Sequence, residues 1–143
     1  MTNFINESME YPENIVFFDG VCNLCNRLVN FLWKMDKDHK LYYASLQSKF
    51  ANEFFIDKEV NHLSLDTVFF FSENKLYAKS RAIGHILLLS GSKFKFIGNL
   101  ILFIPSFLAD PLYSFIARIR YPVWGKRSSC RIPTKEEAKY FLQ

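Results

Sequence analysis

A strand-to-helix junction constrains this chain more than any other feature. Ile15 to Phe18 is a short, wholly apolar run of the kind buried on both faces of a sheet. It leads into Asp19-Gly20, and two cysteines follow at once, Cys22 and Cys25, separated by Asn23 and Leu24. From Asn23 the apolar period changes. Leu24, Leu28, Phe31, Leu32 and Met35 recur at helical spacing, with Asn23, Arg27, Asn30, Lys34 and Lys37 largely elsewhere around the axis. The spacing predicts a helix that ends near Asp36 to His39. A buried strand followed immediately by an amphipathic helix commits the chain to a layered α/β architecture.

The junction also has chemistry. A helix N-terminus carries a partial positive charge and unpaired N–H groups, and both favour a thiolate over a thiol. Cysteines placed there ionise more readily than free ones. Cys22 lies nearest that end and is the expected nucleophile. Cys25 lies one turn further in, on the same side, and is placed to resolve a mixed disulfide formed at Cys22. Two intervening residues let the pair close into a disulfide without unwinding the helix, which is the geometry of thiol–disulfide exchange. Asp19 has two readings, a structural acceptor for backbone N–H groups across the turn or a carboxylate that moves the Cys25 proton. These three residues, Asp19, Cys22 and Cys25, are the candidate catalytic set.

The rest of the chain fits a compact α/β unit. Lys40 to Ser45 reads as a second strand, and Leu46 to Phe55 as a short helix or irregular segment. Asp66 to Phe71 is rich in β-branched and aromatic residues and reads as a third strand. Ser72 to Lys75 makes a turn, and Leu76 to Ala78 pairs back. Ser80 is the expected cap of a helix carrying Ile83, Ile86 and Leu87, stopped by Gly91. A helix over Phe94 to Ile104 should break at Pro105. Asp110-Pro111 has the pattern of a helix start, and that helix should end before Pro122. The resulting order is βαβ, a short helix, then ββα and two or three further helices. A βαβ unit joined to a ββα unit is the thioredoxin-like arrangement. We expect one domain, with a core over about 14–91 and a helical C-terminal extension over about 93–143.

Of the 143 residues, 17% are aromatic and 16 are Phe, which is ample for a packed core. The first fourteen residues hold no Lys, Arg or apolar run and do not resemble an export signal, so a cytosolic location with reduced thiols is expected. The net charge of +4 is uneven: Arg118, Arg120, Lys126, Arg127, Arg131 and Lys135 occupy one stretch without an acid. The plain expectation is a solvated basic face, and a surface for an acidic partner or anionic lipid is the functional one. No recognisable nucleic-acid motif accompanies the charge, so no nucleic-acid partner is expected. Phe96 to Ala109 is uncharged but too short to span a bilayer, which takes about 20 residues. A buried helix is the expectation, with peripheral membrane contact as its rival.

Other chemistry stays open. Zinc needs four ligands, and one Cys-x-x-Cys supplies two, with Cys130, His39, His62 and His85 as further candidates. An iron–sulfur site has the same shortfall. We expect no cofactor. A phosphatase reading of Asp19 lacks a second Asp two residues on, where Val21 stands. Cys130 is either a buried small residue, a third redox thiol or a metal ligand. A non-catalytic module docking through its basic, aromatic C-terminal helices is the remaining alternative.

The Asp-x-x-Cys-x-x-Cys pattern, here "DGVCNLC", resembles the defining motif of the DCC family of predicted thiol–disulfide oxidoreductases. "SLQS" at Ser45, "LDTVFFF", "LYAKSRAI", "DPLYSFIARIRYPVWGK" from Asp110 and "CRIP" at Cys130 are similar to further family segments in the same order. The resemblance runs from about Ile15 to Pro133. It implies a thioredoxin-like fold and a redox dithiol acting on a protein or small-molecule thiol or disulfide. Ile119 stands where the family often has Asn, so no polar role is carried to that position. Thioredoxins proper place a proline before the third strand, facing the cysteines. This chain has none between Pro12 and Pro105, so another residue must shape any docking groove.

Overall fold

In a computed structural model, residues 11–60, 67–126 and 133–143 are described. Cys130, His62, Arg127 and Arg131 lie outside them. The described residues form a five-stranded mixed sheet and five helices, an arrangement consistent with the thioredoxin-like fold, with helices in the C-terminal part. In order these are β1 (Ile15–Phe18), α1 (Asn23–Met35), β2 (Tyr42–Ser45), α2 (Lys49–Asp57), β3 (Phe69–Ser72), β4 (Lys75–Ala78), α3 (Lys79–Ser90), α4 (Ser92–Phe103), α5 (Ser106–Trp124) and β5 (Phe141–Leu142).

The sheet order is β4-β3-β1-β2-β5. The central strand β1 runs parallel to β2 and antiparallel to β3. The all-apolar sequence of β1 follows from its two covered faces. Val16 and Phe18 point into a core with Val29 and Leu32 of α1 and Ile86 of α3. Ile15 and Phe17 point the other way, onto Phe54 and Phe55 of α2. Alternate residues of a strand face opposite sides, so only a strand buried on both needs four consecutive apolar residues. Glu73 and Asn74, both in the left-handed region, make the tight turn between β3 and β4.

Several expectations are corrected. Among the described residues the third strand runs from Phe69 to Ser72, after Thr67 and Val68, while Asp66 lies outside them; the irregular or helical stretch after Leu46 is a helix from Lys49 to Asp57, capped by the Ser48 side chain. The C-terminal β5 was not foreseen. It adds to β2 in parallel and brings the end of the chain back to the core sheet.

Asp110-Pro111 does not start a helix. The helix begins at Ser106, carries Pro111 and Pro122 inside it, and continues to Trp124. Nor does Ser80 cap its own helix: the N-cap position is Ala78, without a side-chain cap bond. The two errors have one cause. Asp110 accepts hydrogen bonds from the Ser80 backbone N–H at 3.4 Å and from the Ser80 hydroxyl, so a residue of α5 caps the start of α3. A proline inside a helix costs about 3 kcal/mol, and local propensity yields to tertiary ties of this kind.

The expectation of a buried helix over Phe96 to Ala109 also fails. One face of α4 packs on α3, where a Cβ added at Gly98 would lie 2.8 Å from the Gly84 carbonyl oxygen. Arg81 of α3 donates to the Leu102 and Ile101 carbonyls at 2.7 and 3.1 Å, satisfying groups that the end of α4 leaves unpaired. The other face is open: Phe96, Leu100 and Phe103 are exposed, as are Phe107 and Leu108 at the start of α5.

Candidate active site

The site forms where the end of β1, the start of α1 and the last turns of α5 meet. Cys22 is the N-cap residue of α1, and its Sγ accepts the Cys25 backbone N–H at 3.3 Å. Both cysteines are free thiols and buried. Asn26, one turn into α1, donates to the Gly20 and Cys22 carbonyls at 2.9 and 2.8 Å and so pins the turn to the helix. Gln47, in the segment after β2, accepts the Gly20 N–H at 2.9 Å and closes the turn from the other side.

Asp19 is buried at the centre of this arrangement. Its carboxylate accepts the Val21 N–H at 3.2 Å and the Gln47 amide at 2.8 Å. It also accepts the Tyr121 hydroxyl and pairs with the Arg120 guanidinium at 3.1 Å. The contact to Val21 is the structural one anticipated from sequence. The other partners come from Gln47 and from α5, about a hundred residues away.

Arg120 is the residue of this site that sequence reasoning misplaced. It was expected on a solvated basic face but is buried. One guanidinium nitrogen holds Asp19 and the other donates to Cys25 Sγ at 3.6 Å. The signal was an Arg inside an otherwise apolar helical period, in the segment "DPLYSFIARIRYPVWGK".

Burial pushes the Cys25 thiol up to about 12, and hydrogen bonding to Cys22 adds to this, while Arg120 pulls the other way. Cys25 therefore stays a protonated donor at neutral pH, held beside a cation that would stabilise its thiolate once formed. Burial likewise raises the Tyr113 phenol to about 12, so it stays a neutral hydroxyl.

Two surfaces enclose the sulfurs. The end of α5 covers Cys22. Asn23 donates its side-chain amide to the Trp124 carbonyl at 2.8 Å and its backbone N–H to the Gly125 carbonyl at 3.3 Å, and Lys126 forms an isolated antiparallel bridge with Cys22. Gly125 sits at φ 89°, and a Cβ there would lie 3.0 Å from the Asn23 amide, so this close cover requires glycine. On the other side, Cys25 and Arg120 line an apolar cavity of about 410 Å³ walled by Leu28, Val68, Ile104 and Leu112. Tyr113 also lines it and accepts the Val68 N–H at 2.8 Å, just ahead of β3. A tyrosine thus shapes the groove in the region where thioredoxins use proline.

The cover makes a prediction. In Asn23→Ala, on a Cys25→Ser and Cys130→Ala background, one side-chain hydrogen bond to the cover is lost. The open population and the iodoacetamide rate at Cys22 should rise roughly two- to tenfold. An unchanged rate would show that the Trp124–Lys126 segment does not control access to Cys22.

Among the described residues no group of three or more His, Cys, Asp or Glu side chains is arranged to hold a metal. His39 packs against Trp33 and Tyr140, and His85 stacks on Tyr77, so neither joins the cysteines.

Comparison with known proteins agrees with the motif. A family model for the DCC1-like thiol-disulfide oxidoreductases matches residues 16–126. The uncharacterized protein YuxK of Bacillus subtilis (strain 168) is 34% identical over 136 residues, covering 94% of this chain and 98% of that protein. The chloroplastic DCC family protein At1g52590 of Arabidopsis thaliana is 30% identical over 118 residues, covering 82% of this chain and 69% of that protein. No solved structure matches.

Proposed function

The chain belongs to the DCC1-like thiol-disulfide oxidoreductase family, and we propose that it works by a Cys22–Cys25 dithiol exchanging with a substrate whose sulfur is carried on an apolar group. The observation behind this reading is the pairing of a helix-capping cysteine with a second thiol that Arg120 touches at the end of an apolar cavity.

Acting as a reductant, the Cys22 thiolate attacks one sulfur of a substrate disulfide and the other leaves as a thiolate. The leaving thiolate takes the Cys25 proton. The Cys25 thiolate, beside the Arg120 guanidinium, then attacks Cys22 Sγ and expels the second substrate thiolate. Two electrons leave the dithiol, and the substrate disulfide becomes one thiol and one thiolate, which takes its proton from water. Run in reverse, the same steps oxidise a substrate dithiol.

In this scheme Asp19 positions rather than shuttles. Four donors already occupy its carboxylate, and its pairing aims Arg120 at Cys25. The apolar lining of the cavity favours an apolar substrate, whether the side chain of a protein or a small molecule.

The test is a titration of the Cys130→Ala protein against glutathione buffers, with zinc and iron assayed in parallel. A reversible Cys22–Cys25 disulfide should form with two-electron behaviour, a tenfold change in ratio for each ~30 mV. A dithiol that does not respond to the buffer, or tightly held metal that is lost in Cys22→Ser, would overturn the reading.

A further inference from the structure

The largest feature that the dithiol chemistry does not use is the outer face of α4 and α5. On α4, Phe96, Leu100 and Phe103 recur at helical spacing and are exposed, and on α5 so are Leu108, Leu112, Phe115 and Ile116. Phe107, at the bend between the helices, is 74% exposed, and Phe103 reaches 86%. A monomer in water rarely leaves an apolar surface of this extent uncovered.

The charges around it identify what covers it. Between Lys95 and Arg118 the only charged residue is Asp110, and it is turned inward onto Ser80. In the sequence that stretch is flanked by Lys93 and Lys95 before it and Arg118 after it, all exposed. The face is an apolar wedge with a cationic rim and no acid. That composition matches an anionic bilayer surface, where apolar side chains enter the acyl boundary and lysines and arginines meet the headgroups.

No single helix among the described residues is long and apolar enough to cross a membrane. α4 has 12 residues, about 18 Å of helix against a hydrocarbon core of about 30 Å. Only as a pair do α4 and α5 have the length and apolar composition of a span, and they bend by 113° at the break between them. The pair suits lying in an interface.

We propose that the α4–α5 face docks the protein on an anionic membrane surface. Ile104, Leu108, Leu112 and Ile116 belong both to this face and to the wall of the cavity over Cys25. Docking therefore places the cavity, and Cys25 behind it, against the bilayer.

The full chain is floated with vesicles of phosphatidylcholine alone and of phosphatidylcholine mixed with phosphatidylglycerol. It should partition to the mixed vesicles, less to the neutral ones, and come off as salt is raised. Phe96→Ser, Phe103→Ser and Phe107→Ser remove only exposed rings, so folding is preserved, and each should weaken partitioning at least tenfold. Lys93→Gln and Lys95→Gln should each cost about fivefold on the mixed vesicles only. Cys22→Ser should float like the parent chain, which keeps this test separate from the redox one. Failure to float with either composition overturns the proposal. So does a concentration-dependent dimer, dispersed by the same Phe→Ser changes, that ignores vesicles, since a second copy would then be what covers the face.

Discussion

Cys22→Ser should abolish thiol–disulfide exchange down to the uncatalysed background, and Cys25→Ser should convert the protein into a trap. Serine keeps the size and the capping geometry at residue 22 but is not a nucleophile towards sulfur at neutral pH, so no mixed disulfide forms. With Cys25 replaced, Cys22 still attacks, but nothing releases the adduct, and substrate accumulates on Cys22 as a disulfide that dithiothreitol removes. The asymmetry rests on the geometry. Cys22 accepts a backbone N–H at the helix terminus, whereas burial keeps Cys25 a thiol up to about 12. Non-reducing mass spectrometry of the two single variants, on a Cys130→Ala background, checks it. Adducts collecting on Cys25 in Cys22→Ser, and none on Cys22 in Cys25→Ser, would reverse the roles and defeat the helix-terminus argument.

Arg120→Met should destabilise the fold by about 3–5 kcal/mol, because it leaves the buried Asp19 carboxylate without its cation. That is a large share of the roughly 5–15 kcal/mol that holds a domain of this kind together. Asp19→Asn removes the other half of the pair, so the two losses should not add: the double variant should lose much less than their sum in urea unfolding. Additive losses, or a cost under ~1 kcal/mol for Arg120→Met, would show that the pair is not coupled as described. The same region sets a pH limit. The Cys25 thiol ionises near 9 when unfolded but only at about 12 when folded. The unfolded chain therefore gives up this proton first, and stability present below pH 9 should fall as pH rises from 9 towards 12. Loss of Arg120 pushes the folded thiol further up and extends that fall to higher pH, since its charge pulls the other way.

Much of the chain was legible residue by residue. The unbroken apolar run of Ile15 to Phe18 and the period near 3.6 from Leu24 to Met35 are local signals. Each needs only neighbouring residues to declare a strand buried on both faces or a helix buried on one. The pair of cysteines was legible for the same reason, since its spacing and its place at a strand-to-helix junction lie within a dozen residues. Gln47 was visible only as part of "SLQS", and its role at Asp19 was not.

The sequence by itself thus determined the α/β order, the two covered faces of β1, the family, and the identity of the dithiol; on α1 it placed Leu32 in the core, but Phe31 is exposed and Val29 is buried instead. Tertiary structure alone decided the rest. Arg120 became the partner of Asp19 and Cys25 because α5 lays its last turns across the start of α1, a contact spanning 95 residues to Cys25 that no local pattern encodes. Asp110 capped α3 rather than its own helix, and α5 kept two prolines, because ties to a neighbouring element outweighed local propensity. Phe96 and Phe103 stayed exposed because a helix has a full circumference, and α3 covers only one side of α4. Hydrophobicity is a property of each residue, but burial depends on which surfaces the folded chain has left to offer it.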